Sequence, residues 1–273
     1  MFTEFNSKKL SLLIILSLVV AIGVMASVDS IDAKKITITK KSSLTDGIKK
    51  CKSGDTLVLA SGTWSGKISK NRNIVIDKNI KIVAKKKGKS IIDLKGKGQA
   101  FYVNSGVKLT LDGVTIKNGN APYSASDQGL GGAIFSSGTL KISNCIFSKN
   151  KCAIGDRGDF GGAINGDKLT VINSVFMYNT VKNGAGGAIY TNGNVSISGC
   201  TFVSNKAIYG SGGAICLGST AGYLKVSNSI FKSNKAKYKG GAISAYSKSS
   251  VKFSKNTYKN NIAPKGSKIY YSN

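Results

Sequence analysis

From residue 55 onward, apolar and polar positions alternate with period two in short runs: TLKISNCIFSKN, LTVINSVFMYN, VSISGCTFVSN, LKVSNSIFKSN and VKFSKNTYKN. Val, Ile and Thr dominate these runs, which is the pattern of half-buried strands. No helix-period segment of ten or more residues follows residue 55, so this region is expected to be all-β. Residues 43 to 52, SLTDGIKKCK, differ. Leu44, Ile48 and Cys51 recur there at helical spacing, predicting a short helix that covers the N-terminal end of the fold.

The runs are copies of one unit. GGAI begins at Gly131, Gly161, Gly186, Gly212 and Gly240, at spacings of 30, 25, 26 and 28 residues. Each copy is followed by an aromatic residue with Asn at i+3: Phe147 and Asn150, Phe176 and Asn179, Phe202 and Asn205, Phe231 and Asn234, Tyr258 and Asn261. A repeat of 25 to 30 residues made of short strands predicts one coil of a parallel β-helix per repeat. Coils then lie one on another at strand spacing, about 4.8 Å, so equivalent residues stack on themselves.

That geometry assigns every shared position a role. Ile134, Ile164, Ile189, Ile215 and Ile243 are expected to form one interior ladder and the aromatics another. The asparagines are expected to form a hydrogen-bonded ladder, and to take the left-handed backbone conformation a sharp corner needs. The glycine pairs turn the other corner, where a Cβ clashes between coils: Gly131 with Gly132, Gly161 with Gly162, Gly186 with Gly187, Gly212 with Gly213 and Gly240 with Gly241.

Before Gly131 the repeat is degenerate: GDTLVLASGTWSG, NIVIDKNIKIVA, KSIIDLKGKGQAFYV and VKLTLDGVTIKNGN read as earlier coils without the glycine pair. The expected organisation is a leader at 1–26, an entry strand and N-terminal cap at 27–54, and a β-helix of roughly eight coils at 55–273, with GGAI coils from about residue 129. In the leader, Lys8 and Lys9 precede LSLLIILSLVVAIGVMA, with Val24 and Ala26 as small residues at its end. This is the form of a secretory signal peptide. Left uncleaved, residues 10–26 are a membrane anchor, and both outcomes predict a secreted or cell-surface protein.

The GG-A-I and F-x-x-N pairs resemble the repeats of chlamydial polymorphic outer-membrane proteins. The whole layout, from LTDGIKKCKSGDTLVLASGTWSG through KSIIDLKGKG and VTIKNGN to the GGAI coils, is similar to adhesin-like surface proteins of methanogenic archaea. The resemblance implies a right-handed parallel β-helix, surface display and an adhesive role. It supplies no catalytic residues.

Charge bears on partners. Of 273 residues, 40 are Lys or Arg and 12 Asp or Glu, a formal net charge of +28. Such a charge favours anionic partners: nucleic acid, anionic lipid or acidic wall polymers. Arg72 and Arg157 are the only arginines, so bidentate forks for phosphate or base recognition are scarce, and no specific nucleic-acid partner is expected. The plainer alternative is that Lys serves as a solubilising surface residue.

Candidate chemistry is sparse. Glu4 is the only Glu, there is no His, and Asp46, Asp55, Asp77, Asp93 and Asp112 fall singly in different early coils. Glycoside hydrolysis needs paired carboxylates, and lyase chemistry needs calcium-binding acids beside a base. One cluster stands out: Asp127, Asp156, Arg157, Asp159 and Asp167, in loops around consecutive GGAI copies. It is expected to be a weak loop site for an anion or calcium, or simply a set of polar residues solvating a corner. Arg157-Gly158-Asp159 also matches a tripeptide that some adhesion receptors recognise.

Cys51, Cys145, Cys152, Cys200 and Cys216 show no C-x-x-C spacing, so no zinc site is expected. Cys145 and Cys200 share one slot with Ser174 between them. Two coil steps, about 9.6 Å, exceed disulfide reach.

The sequence therefore predicts a non-catalytic, adhesin-like β-helix with no cofactor, no metal and no catalytic residues, binding surface glycans or anionic cell-wall polymers through Lys-rich faces. The alternatives are a polysaccharide lyase or hydrolase of the pectate-lyase-like fold, and a structural envelope component that self-associates through its C-terminal coil.

Overall fold

Runs of period-two alternation that end in Asn or Gly fold as strands too short to stand alone. They gain their hydrogen bonds from the equivalent run one repeat away. The computed structural model describes residues 33–121, 130–152, 158–218 and 222–272. Every strand pairing among them is parallel, between one coil and the next, as in Leu109↔Leu140↔Leu169. A 15-stranded sheet forms the largest wall; sheets of eight, four and two strands complete the coil. The eight stacked strands of the second sheet make about seven coil-to-coil steps from first to last, a parallel β-solenoid close to the size expected.

The inward columns are long and uniform. Leu57, Ile82, Leu111, Ile142, Val171, Ile197 and Val226 follow one another in register on the large sheet. The second column runs Trp64, Ile92, Ile116, Phe147, Phe176, Phe202, Phe231 and Tyr258. It therefore extends into the degenerate coils, where Ile92 and Ile116 stand in place of rings. From Phe147 to Phe231 the rings stack at centroid separations of 4.9, 4.9 and 4.8 Å, tilted by no more than 8°. Burying each ring contributes about 1.5–3 kcal/mol.

The asparagine ladder is continuous. Asn150, Asn179, Asn205 and Asn234 are fully buried. For Asn179, Asn205 and Asn234, the side-chain oxygen accepts from the backbone N–H and the amide of the Asn one coil earlier, as Asn205 Oδ1 does from Asn179 (3.0 and 2.9 Å). The amide nitrogen donates onward to the next Asn and back to the carbonyl of an aromatic residue, Phe176 for Asn205 (3.0 Å). Each buried amide is thereby satisfied, which is what makes a polar column tolerable inside a fold.

One expectation is corrected here. The ladder asparagines do not occupy the left-handed region; the residue before each does. Lys149, Tyr178, Ser204, Ser233 and Asn260 have φ between 52° and 56°. The corner and the ladder are separate tasks. A side chain committed to four hydrogen bonds is fixed by them, so the left-handed turn falls on a neighbour that lies on the outer side of the corner.

At the glycine corner packing excludes a Cβ from both residues: one on Gly161 would lie 2.0 Å from the carbonyl oxygen of Ile164 in its own coil, and the second glycine of each pair meets the next coil. Gly161 has φ 70°. A Cβ on Gly132 would lie 2.2 Å from the carbonyl oxygen of Gly162, and one on Gly162 would lie 2.1 Å from that of Gly187. The same approach closes the series at Gly241, where a Cβ would lie 2.4 Å from the Ser267 carbonyl oxygen. Before the first full coil, a helix spans Leu44–Lys49. Ser43 Oγ accepts from Asp46 N (3.1 Å) and donates to the Asp46 carboxylate (2.7 Å), closing its N-terminus. Leu44 and Ile48 are buried in the main core, making the N-terminal helical cap.

Candidate functional site

Of the acidic loop cluster, Asp127, Asp156 and Arg157 lie outside the described residues, as does the leader. Asp159 is 1% exposed, and its carboxylate accepts the backbone N–H of Asn183 (3.0 Å). Asp167 is exposed and accepts from the backbone N–H of Asn192 (2.8 Å). Each carboxylate thus ties its coil to the next, a structural task. Among the described residues no group of three His, Cys, Asp or Glu side chains could hold a metal ion.

The shared positions build the wall and stay within it. The phenylalanines of the aromatic column, the ladder asparagines and the second glycine of each pair are buried. What the solenoid offers to a partner is the set of outward positions between them.

On the large sheet these are rich in lysine. One column runs Lys81, Thr110, Lys141, Thr170, Ser196, Lys225 and Lys252, in register from coil to coil. Two residues earlier on the same strands, hence on the same face, Lys108, Thr139 and Lys168 form a second column. All six of these lysines are exposed. The ion pairs between described residues, Lys70–Asp46, Lys78–Asp77, Lys95–Asp93 and Lys117–Asp93, involve none of them.

Toward the last coils, lysines lie directly beside lysines. Lys225↔Lys252, Lys232↔Lys259 and Lys206↔Lys235 are register partners on three different sheets, and Lys239↔Lys265 form a further bridge. Like charges opposite one another across a strand pair destabilise the pair. Several such pairs lie within three coils. Lys-rich faces were expected from the sequence, but not the residues that compose them. The signal that finds them is the fixed offset within the repeat: Lys141, Lys225 and Lys252, in KIS, KVS and KFS, each stand six residues before the column aromatic.

Residues 58–257 match the family of the right handed beta helix region. The chain belongs to the right-handed β-helix family. Among relatives, this β-helix is 33% identical over 175 residues to the probable autotransporter YfaL of Escherichia coli, covering 54% of this chain and 13% of that protein. It is 35% identical over 137 residues to the metabotropic glutamate receptor-like protein R of Dictyostelium discoideum, covering 49% of this chain and 8% of that protein. The chain thus spans a small fraction of the length of the relatives it matches.

Among solved structures, it is similar to a mutant of the PL6 family alginate lyase AlyGC, with TM-score 0.50 and 16% identity over 88% of this chain and 40% of that one. The pectin methylesterase PemA from Erwinia chrysanthemi aligns with TM-score 0.48 and 10% identity, over 88% of this chain and 92% of that one.

These likenesses are of fold. The first of them nonetheless overturns the expectation that this chain is not an enzyme. That expectation rested on the scarcity of carboxylates, and the β-helix built here is a fold on which an alginate lyase is also built. A count of acidic residues does not outweigh that.

The cysteines are scaffold. All five are buried, and no disulfide joins them. Cys145 and Cys200 occupy one column with Ser174 and Ser229: the Cys145 N–H donates to Ser174 Oγ (3.1 Å), Ser174 N–H to Cys200 Sγ (3.5 Å), and Cys200 N–H to Ser229 Oγ (3.1 Å). Burial pushes the thiols of Cys145 and Cys216 up to about 12 and that of Cys200 up to about 11. Protonated, buried thiols are poor nucleophiles. Among the described residues no helix is long and apolar enough to cross a membrane.

Proposed function

We propose that this chain is an extracellular or cell-surface β-helix that binds acidic glycans or wall polymers through its lysine face, in the manner of an adhesin. The observation that carries the reading is the run of unneutralised lysines in register, with Lys225 and Lys252 side by side. A linear polyanion laid along the axis meets a new lysine every one to three coils. Each contact is worth little alone, about 0.2–1 kcal/mol for an exposed pair, so affinity comes from their number. The likeness to an autotransporter supports the extracellular placement. So does the similarity of the whole layout to adhesin-like surface proteins. A fold shared with an alginate lyase is consistent with a polysaccharide partner.

The test is affinity electrophoresis of the full chain through gels containing polygalacturonate or alginate. The wild type is expected to be retarded at low salt and released as salt approaches about 0.5 M, where the screening length falls below about 5 Å. The triple variant Lys141→Ser, Lys225→Ser, Lys252→Ser should lose most of the retardation while keeping its circular dichroism. Equal retardation of wild type and variant overturns the lysine face as the site. The same incubation, followed for unsaturated or reducing ends, tests cleavage of the polymer; release of such ends assigns the chain a catalytic role on that substrate.

A further inference from the structure

On the large sheet the strand Asn194–Ser198 begins just after a bend at Asn192 and Gly193. The bend is pinned to the preceding coil, where the Asp167 carboxylate accepts the Asn192 N–H (2.8 Å). Alternation along the strand then decides which side chains reach solvent. Val195, 2% exposed, points into the core, so Asn194 and Ser196 point outward on one face, about 6.6 Å apart along the strand. Both are exposed.

Asn194-Val195-Ser196 has the form Asn-x-Ser/Thr with a residue other than Pro in the middle, the acceptor pattern for an N-linked glycan. The pattern occurs once in the 273 residues. In the two adjoining coils the equivalent places hold Lys168 with Thr170 and Tyr223 with Lys225, so the asparagine belongs to this coil and not to the repeat. The asparagines that the repeat does share are committed to the ladder. Asn150 heads the related triplet Asn150-Lys151-Cys152, but it is fully buried, and its amide donates to Asn179 Oδ1 (3.0 Å) and to the Ile116 carbonyl (3.1 Å). Folding withdraws Asn150 and leaves Asn194 in reach of an enzyme.

The surroundings suit an attached sugar. Tyr223 is the register partner of Asn194 one coil on, is 40% exposed and lies on the same outward face, where it offers the first sugar an apolar surface to cover. The lysine column is interrupted beside it: between Lys141 and Lys225 stand Thr170 and Ser196. A glycan on Asn194 occupies that interruption and displaces no charged side chain from the face.

We propose that Asn194 is an N-glycosylation site, which takes an oligosaccharide from a lipid-phosphate-linked donor outside the cytoplasm. In the transfer, a bond forms between Asn194 Nδ2 and C1 of the first sugar while the bond from C1 to the phosphate oxygen breaks. The lipid phosphate leaves with that electron pair, and Nδ2 gives up one proton to a base of the transferase. Ser196, two residues on and on the same face, supplies the hydroxyl that completes the recognised triplet.

The inference rests on the extracellular placement proposed above, and the test separates the two. The full chain is recovered from its native cells, separately from the cytoplasm and from exported material, digested with trypsin, and mapped by mass spectrometry with electron-transfer fragmentation. The peptide running from Asn183 to Lys206 is expected to carry the mass of an oligosaccharide on Asn194, and the peptide containing Asn150 is expected at its plain mass. In the same cells Asn194→Gln and Ser196→Ala should lose the added mass, whereas Ser196→Thr should keep it. Circular dichroism verifies that these outward substitutions leave the solenoid folded. Exported protein whose Asn183 to Lys206 peptide has its plain mass overturns the site alone. Added mass that persists in Asn194→Gln or in Ser196→Ala overturns it as well. Protein confined to the cytoplasm overturns the extracellular reading and the site with it.

Discussion

Replacing Asn205 by Ala cuts the asparagine column at its centre. The Asn205 side-chain oxygen is the acceptor for the Asn179 N–H at 3.0 Å and for the Asn179 amide at 2.9 Å. Both donors are in a residue with no exposed surface, so water does not reach them. The second hydrogen of the Asn179 amide keeps its bond to the Phe147 carbonyl (3.0 Å), and Asn234 Oδ1 keeps the Asn205 N–H (3.0 Å). Two buried donors are left unsatisfied. At about 1–3 kcal/mol each, the loss is about 2–6 kcal/mol, a large part of the stability of an ordinary domain.

Asn261, the last of the column, is 8% exposed, and Asn261→Ala should cost less because solvent can approach the donors it releases. Urea unfolding followed by far-ultraviolet circular dichroism measures the difference, and hydrogen exchange of the peptide containing Asn179 locates it. The reasoning fails if Asn205→Ala lies within about 1 kcal/mol of wild type, or if the two variants cost the same.

The glycine corner supplies a second contrast. A Cβ on Gly187 would lie 2.0 Å from the Gly213 carbonyl oxygen, so Gly187→Ala should yield unfolded or protease-sensitive protein; Gly88, at φ 70° with nothing within 4 Å, should tolerate Ala at about 1–2 kcal/mol in a thermal melt. Equal melting temperatures would refute the close approach. Native protein treated with iodoacetamide at mildly alkaline pH should gain no adduct at Cys145, Cys200 or Cys216 by peptide mass mapping, and unfolded protein should gain one at each. Because burial raises these thiols from 9.0 to about 11 or 12, the folded state holds protons that the unfolded state releases between those values. Their contribution to stability is therefore full below about pH 9 and falls as pH rises toward about 11; urea midpoints that stay flat across that interval would contradict this.

Most of the scaffold was legible because a solenoid turns sequence distance into spatial adjacency. Phe176 and Phe202 lie one repeat apart in the chain and stacked in space, so a fixed offset in the sequence is already a contact. The same logic kept Cys145 and Cys200 apart. What was not legible depends on backbone direction rather than on period. The left-handed residue lies one position before the ladder Asn, and it is Lys, Tyr, Ser or Asn in turn. No residue type marks it. Strand register across the bulge between Ser136 and Thr139 was equally hidden, whereas the lysine column was not: Lys141, Lys225 and Lys252 each precede the column aromatic by six residues.

The outward residues beside GGAI were hidden for a different reason. Phe160, Phe135 and Tyr190 are the letters beside GGAI that change from copy to copy, and a search for repeats discards such letters. Yet the solenoid leaves its outward positions free because each shared residue is satisfied by its own copies: ring on ring, amide on amide, glycine against carbonyl. A substitution at Tyr190 breaks no ladder, whereas one at Ile189 or Ala188 enters the core. Stability and recognition are thus divided between alternate residues of the same short strand. Variation beside an invariant motif is therefore what this architecture permits, because those positions carry no contact that the copies must share.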